Sequence, residues 1–490
     1  MTRTLALLIP LVAVGIAAWR MRPDRRQRGA ALLALIAAVI GVGGLNAVAG
    51  AAGWWSYQDV AGSALGSPVD LWLGWAVLWG PLFVLVRMPL PVALIALAWL
   101  DVLTMPLLAP LVGLGPMWML GEAIGLLLVA APAILLGRWC ADARRLPARA
   151  ALQLVVFSGL LLWFGPAIAI DQGDGAWRNL LDLPYWQLAL VAQLALLAAL
   201  PGLLAMREFV ERGGGTPYPW DPPNRLVTTG PYAYVANPMQ LSAILLTTLM
   251  AVAIRSWALA ACIGFAVAFS AAVAGPHESD DLARRHGAAW AGYRRQVRNW
   301  RPRWTPYLAH PARLYLGATC DVCSSTAHAV SRLRPQGLSF HPAEQYAGGL
   351  VASRPANRPC ERDDPRPSGL VRARYEGPDG YWVDGVAAVS RGLEHVNLAW
   401  AVVGWFLRLP GLDRLAQIIV DGVGGQPREL KGGAAWPTPG RSCSTAPSKP
   451  SAATASPASP PAPWPRRPAS TRPSSSTTSA ASTTCWPRRA

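Results

Sequence analysis

RLVTTGPYAYVANP (residues 225–238) and HESDDLARRHGAAWAGYRRQVRNWRPR (residues 277–303) are polar runs on either side of an apolar stretch at 239–275. The reading of that stretch decides the fold. As one helix it would extend about 55 Å at 1.5 Å per residue, well past a hydrocarbon core of about 30 Å. Arg255-Ser256 interrupts it. The pattern therefore predicts a tight helical hairpin with arms 239–253 and 257–275. Such a hairpin returns the chain to its starting side and sets both polar runs on one membrane face.

The same logic extends toward the N-terminus. Apolar runs lie at about 4–20, 29–50, 69–86, 91–109, 118–136, 150–170 and 184–206, most of them close to the roughly 20 residues that a spanning helix needs. With the hairpin arms they make about nine spans. The first run lacks a small-residue cleavage site before Arg20, so it reads as an uncleaved span and not as a signal peptide. Composition agrees: of 490 residues, 52% are hydrophobic and only 14% charged, which an ordinary soluble domain does not show. The formal charge is +17, yet the only lysines are Lys431 and Lys449, and residues 439–490 hold seven basic side chains and no acid. No segment reads as a basic face with interleaved aromatics, so the expected partner is the lipid bilayer and not nucleic acid.

Loop charges give an orientation. Arg20, Arg22, Arg25, Arg26 and Arg28 share one loop, and Arg87 and the cluster Arg138, Arg144, Arg145 and Arg149 lie on alternate later loops. Asp59, Asp171, Asp174 and Asp182 lie on the loops between. Arg-rich loops face the cytoplasm. This predicts an integral protein, of a bacterial inner membrane, with an external N-terminus and with 207–238 and 276–490 cytoplasmic. Asp101 sits mid-span in PVALIALAWLDVLTMPLLAPL. An acid there is costly and reads either as a functional group or as a protonated or paired side chain facing other helices.

The loop at 225–238 has its own chemistry. Irregular backbone near the bilayer is tolerated where it is buried in protein or lines a cavity. Gly230-Pro231 permits a sharp turn. Tyr232 and Tyr234 offer flat faces with polar tips. Asn237-Pro238 ends the loop and opens the next helix. Glu278, with Asp280 and Asp281, can accept hydrogen bonds from hydroxyls or an ammonium. The same residues also fit an ordinary cytoplasmic loop followed by a solvated charged helix.

The order of these residues resembles the cofactor-binding core of integral-membrane methyltransferases, which include the isoprenylcysteine carboxyl methyltransferases and the phospholipid N-methyltransferases. Their pattern is roughly a Leu-Val-x-x-Gly-Pro-Tyr-x-x-x-Arg-His-Pro-x-Tyr loop, a hairpin, and an acidic helix ending in Trp-x-Pro-Arg. This chain keeps Gly230, Pro231, Tyr232, Tyr234, Pro238, Glu278, Tyr293 and Arg301-Pro302-Arg303. It has Ala236-Asn237 in place of Arg-His and Gln240 in place of the later Tyr. Asn at 237 makes neutral hydrogen bonds where His can carry charge. The resemblance covers about 184–305. It implies S-adenosylmethionine as cofactor, an amphipathic or lipid-linked methyl acceptor, and a cofactor site at Gly230, Tyr232, Tyr234, Asn237, Pro238 and Glu278. Departures at 237 and 240 leave a second reading, a membrane-anchored redox protein or scaffold with a degenerate methyltransferase core.

The character changes after Pro306. ARLYLGA is strand-like, SSTAHAVSRLR is helical, and VRARYEG and YWVDG flank the turn signal Pro378-Asp379-Gly380. Helical patterns follow at 384–394 and 398–407. This predicts a small soluble α/β domain at 311–424, after N-terminal helices at 1–183 and the membrane core at 184–310. Cys320 and Cys323 lie between a strand and a helix, where the helix N-terminus favours a thiolate. Cys320 would attack a disulfide and Cys323 resolve it. A zinc half-site completed by two of His328, His341 and Cys360, or an incidental structural pair, also fits these cysteines. LYLGATCDVCSSTAHAVSRL resembles the DCC family of thiol-disulfide oxidoreductases over about 312–422. It keeps Tyr315, Gly317 and Cys320, has Leu316 in place of Asp, and adds one residue before Cys320. That resemblance implies a thioredoxin-like fold, catalytic roles for Cys320 and Cys323, no metal, and a thiol or disulfide partner. Residues 425–490 are rich in Pro, Ser, Thr, Ala and Arg without periodicity, a composition that predicts disorder. The expected fold is therefore a polytopic α-helical membrane protein of about nine spans, then a small thioredoxin-like α/β domain and a disordered tail.

Overall fold

The computed structural model describes residues 2–109, 111–318, 320–346 and 370–426. The expected tail, together with Cys360, Cys443 and Cys485, lies outside the described residues, apart from the two positions 425 and 426. Seven helices are long and apolar enough to cross a membrane: α1 (Arg3–Met21), α2 (Arg25–Ala52), α3 (Val69–Val86), α4 (Leu90–Leu108), α5 (Trp118–Ala141), α6 (Leu146–Gln172) and α7 (Tyr185–Gly213). All seven coincide with the apolar runs. The hairpin arms α8 (Pro238–Ile254) and α9 (Trp257–Ala272) are shorter and stand apart from the seven. Arg255, with φ of 57°, makes the turn between them. Helix α10 (Gly275–Gln296) follows, broken at Gly287.

Small residues let the helices approach closely, as membrane bundles require. A Cβ at Gly74 would lie 2.2 Å from the Ala6 carbonyl oxygen, and one at Gly80 would lie 2.6 Å from that of Ala34. Helix α2 is started by Asp24, whose carboxylate accepts from Gln27 N while the Gln27 side chain accepts from Asp24 N. It ends on the left-handed Gly53. The main core packs α2, α3 and α5 around Leu33, Val42, Trp72, Trp79, Ile134 and Leu136.

Ion pairs gather the loops at each end. Asp221 bonds Arg26 of the first loop at 2.5 Å and Arg149 at 2.9 Å, and Tyr218 OH donates to Gly29 O at 2.6 Å. The Arg-rich loops and the 214–224 segment therefore share one end. At the other end Arg3 pairs with Asp70 at 2.7 Å. Asp174 accepts from Ser256 Oγ, Trp257 N and Ala258 N, each at 2.9 Å, and so caps α9. Two short antiparallel strands, β1 (Trp55–Tyr57) and β2 (Val112–Leu114), close over this end.

The described residues between 312 and 420 form a sheet with helices. Strand β3 (Ala312–Leu316) runs parallel to β4 (Leu338–Pro342) and antiparallel to β5 (Arg374–Glu376), which pairs antiparallel with β6 (Trp382–Asp384). The order is β4-β3-β5-β6. Helix α11 (Asp321–Arg332) connects β3 to β4, and α12 (Val386–Leu393), α13 (Leu398–Leu407) and α14 (Leu412–Val420) follow β6. Alternation along β3 buries Ala312, Leu314 and Leu316 against Ala327, Tyr375 and Ala388.

Candidate functional site

The 225–238 loop is not a free surface loop. Gly230 has φ of 60° and opens a short 3-10 turn, Gly230–Ala233. A Cβ there would meet the Glu208 side chain at 2.9 Å, so the position needs glycine on both counts. Four backbone hydrogen bonds then zip the loop to the chain after α10. Ala236 N donates to Arg298 O, Asn237 N to Asn299 O, Arg303 N to Tyr234 O and Tyr307 N to Ala233 O. Tyr293 OH adds a bond to Tyr232 O at 2.8 Å. The hairpin thus brings together the two polar runs that the sequence keeps some forty residues apart.

The six proposed cofactor positions do not share one setting. Tyr232 stacks on Phe209, ring centroids 5.1 Å apart and planes 8° apart. Its hydroxyl is buried and has no hydrogen-bond partner among the described residues. Burial keeps this phenol protonated, with Tyr293, Glu278 and Glu208 adding in the same direction. Tyr234 faces the other way. Its hydroxyl donates to Glu394 O at 2.8 Å and its ring meets Trp405 edge-on. Asn237 precedes Pro238, the first residue of α8, and donates from Nδ2 to Gln240 Oε1 at 3.3 Å. Gln240 Oε1 also accepts from Ser270 Oγ at 3.2 Å and Trp300 Nε1 at 3.1 Å. Two of the three residues that depart from the methyltransferase pattern, Asn237 and Gln240, therefore bond to each other. Glu278 lies exposed in the first turn of α10 and makes no hydrogen bond or ion pair among the described residues.

Sequence reasoning missed the group that surrounds this loop. Glu208, near the end of α7, is fully buried and pairs with Arg391 and with Arg408, the latter at 3.3 Å. Glu394 accepts from Arg391 and Arg408, both at 2.9 Å. Glu208 also accepts from Thr229 Oγ1 at 2.9 Å. Beside it Arg212 pairs with Asp379 and lies over the Tyr381 ring, whose hydroxyl donates to Glu211 at 2.7 Å. These side chains join α7, the loop and α12. No local pattern signals them, because the partners are 183 and 200 residues apart.

Cys320 and Cys323 lie elsewhere. Cys320 is buried at the N-cap of α11, just past β3, and its Sγ accepts from Cys323 N at 3.4 Å. Cys323 is half-buried. Glu344, also buried, accepts from Ala318 N at 2.7 Å just upstream of Cys320. A helix N-terminus directed at sulfur stabilises its anion. Among the described residues, no group of three or more His, Cys, Asp or Glu side chains is placed to hold a metal ion. A scan against protein-family models and searches of curated proteins and of solved structures find no match.

Proposed function

We propose that this chain is a membrane methyltransferase that uses S-adenosylmethionine on an amphipathic or lipid-linked acceptor at the cytoplasmic face, joined to a CxxC thiol-disulfide oxidoreductase-like module. The observation that carries the reading is the closure of the Gly230–Pro238 loop onto residues 298–307 beneath a short helical hairpin. The buried, unpartnered Tyr232 hydroxyl is a donor and the Glu278 carboxylate an acceptor, a set that fits the polar ends of such a cofactor. When bound, S-adenosylmethionine supplies a methyl group on a sulfonium. The chain's own part is to hold, align and exclude water, since alignment supplies much of the rate of an in-line displacement. Gly230 permits the close backbone approach, and the Phe209–Tyr232 stack stiffens the loop. For the C-terminal part, the strand order β4-β3-β5-β6 and the place of Cys320 between β3 and α11 support the thioredoxin-like reading.

One observation favours the second reading, a membrane-anchored redox protein or scaffold with a degenerate core. Asn237 donates to Gln240, whose Oε1 also accepts from Ser270 and Trp300. Isothermal titration of the full chain with S-adenosylmethionine decides between them. Binding is expected, weakened by about 1–3 kcal/mol in Glu278→Ala. No binding by the wild type removes the methyl-transfer reading and leaves the redox one. Unchanged affinity in the variant removes Glu278 from the site.

A further inference from the structure

Helix α14 turns polar residues toward the protein and an apolar stripe away from it. Gln417 Oε1 accepts from Val386 N at 2.9 Å, and Gln417 Nε2 donates at 2.7 Å to Asp421, which pairs with Arg372. Asp413 accepts from Gly411 N at 3.1 Å and Arg414 N at 2.8 Å, at the start of the helix. On the outward side Leu415, Ile418 and Ile419 are 53%, 67% and 58% exposed. Their spacing, i, i+3 and i+4, sets them on one stripe. They are as open as Leu197 of α7, which is 52% exposed on a helix long and apolar enough to cross a membrane. Arg414 is exposed at the edge of the stripe, while both acids of the segment, Asp413 and Asp421, lie on the other side.

Helix α13 shows where this stripe is held. Leu398–Leu407 is apolar throughout and, at ten residues, extends only about 15 Å. One side packs Ala401 and Trp405 with Leu200 and Leu204 of α7. Those leucines lie about two turns and one turn before Arg207, where the apolar run of α7 ends. Helix α13 therefore lies alongside the apolar part of a helix of membrane-crossing length, and its other side exposes Trp400, Val403 and Phe406. Arg207 Nη1 donates to Arg408 O at 2.6 Å, and residues 408–411 lead directly into α14. A bilayer around α7 thus reaches α13 first and α14 next. An apolar stripe edged by Arg suits a headgroup layer, and Trp is favoured at that depth. A nine-residue helix holds lipid weakly by itself, but here the link to the span raises its local concentration. We propose that α13 and the outward stripe of α14 form an interfacial foot that seats the α/β region on the membrane leaflet at the Arg-rich end. This inference needs α7 to cross the bilayer and is independent of the methyl-transfer reading.

The full chain is reconstituted in nanodiscs of phosphatidylcholine and phosphatidylglycerol. A diazirine amino acid replaces Ile418 or, as a reference, Leu197, and adducts are read by mass spectrometry after illumination. Lipid adducts at 418 are expected at a yield within about threefold of that at 197. With the photoreactive group at 415, Ile418→Glu together with Ile419→Glu is expected to lower the lipid yield roughly tenfold, because two apolar side chains no longer favour the interface. Both substitutions fall on the exposed stripe and leave the packed side of α14 untouched. Adducts at 418 to water alone, to residues 427–490 or to a second chain, in place of lipid, overturn the proposal. A lipid yield at 415 unchanged by the double substitution does the same. Lipid adducts missing at 197 as well remove the bilayer from α7 and the proposal with it.

Discussion

Neutralising Glu208 tests how the membrane helices hold the α/β region. Glu208, Arg391 and Arg408 are 0%, 1% and 0% exposed, and Glu394 is the second carboxylate of the set. In Glu208→Gln two buried guanidiniums share Glu394, with Glu211 3.6 Å from Arg408 as the remaining acid. Removing one partner of a buried ionic group costs about 3–5 kcal/mol, because the survivors remain desolvated. Gln keeps one acceptor oxygen, so the lower figure applies, about 3 kcal/mol. A chain of this size is not a two-state system, and the suitable assay is therefore local: native-state hydrogen exchange of 386–408 with the protein in nanodiscs. Protection there is expected to fall about a hundredfold, since 1.36 kcal/mol is a factor of ten. The 229–233 turn should lose protection too, through the Thr229 bond. Tyr234→Phe removes one neutral hydrogen bond and should cost about 1 kcal/mol, roughly fivefold. If Glu208→Gln changes protection less than Tyr234→Phe does, the ionic set is not what holds this junction.

Three further outcomes are expected. Cys320 should alkylate faster than an ordinary thiol of pKa about 8.5, and Cys323→Ser should trap a mixed disulfide that Cys320→Ser cannot form; equal reactivity of the two thiols, read by mass spectrometry, contradicts the redox role. Impermeant maleimide on intact cells should label Gln172→Cys and not Arg144→Cys in a background lacking the native cysteines, and the reverse pattern overturns the orientation. His395 is buried between Gln336 O and Tyr375 OH, and burial lowers its pKa below 6.5. As pH falls through about 6.5 the unfolded chain takes up a proton that the folded one refuses, so the α/β region loses stability; His395→Gln should flatten that decline between about pH 7 and pH 5 in thermal unfolding.

The membrane helices were legible because a spanning helix must be a continuous apolar run, and Arg255-Ser256 marked the hairpin turn. Strand β3, helix α11, the β5–β6 pair and helix α13 also fell where the pattern set them. Strand β4 and helix α14 went unread: LSFHP is too short to show alternation, and a Pro-Gly pair immediately precedes α14. The loop's residue types were readable, but which way each tyrosine points was not, since Tyr234 is aimed by Trp405 and Glu394, both remote in sequence. Asp101 is fully buried against Trp75 and Trp79, and Glu122, also buried, was overlooked although it carries the same signal, a lone acid inside an apolar run.

The hairpin beneath the loop has a consequence for the lipids around it. At 17 residues, α8 reaches about 26 Å, short of a hydrocarbon core of about 30 Å. Its neighbour α7 is part of a much longer span. In a bilayer of that thickness such a deficit is met by local thinning, by snorkelling of flanking residues or by association with other helices, at a cost of fractions of a kcal/mol per Å. Where the bilayer thins, headgroups beside α8 and α9 are drawn inward, toward the loop that precedes α8. On the proposed methyl-transfer reading, a lipid-borne acceptor would then have a shorter vertical excursion to make to reach the loop.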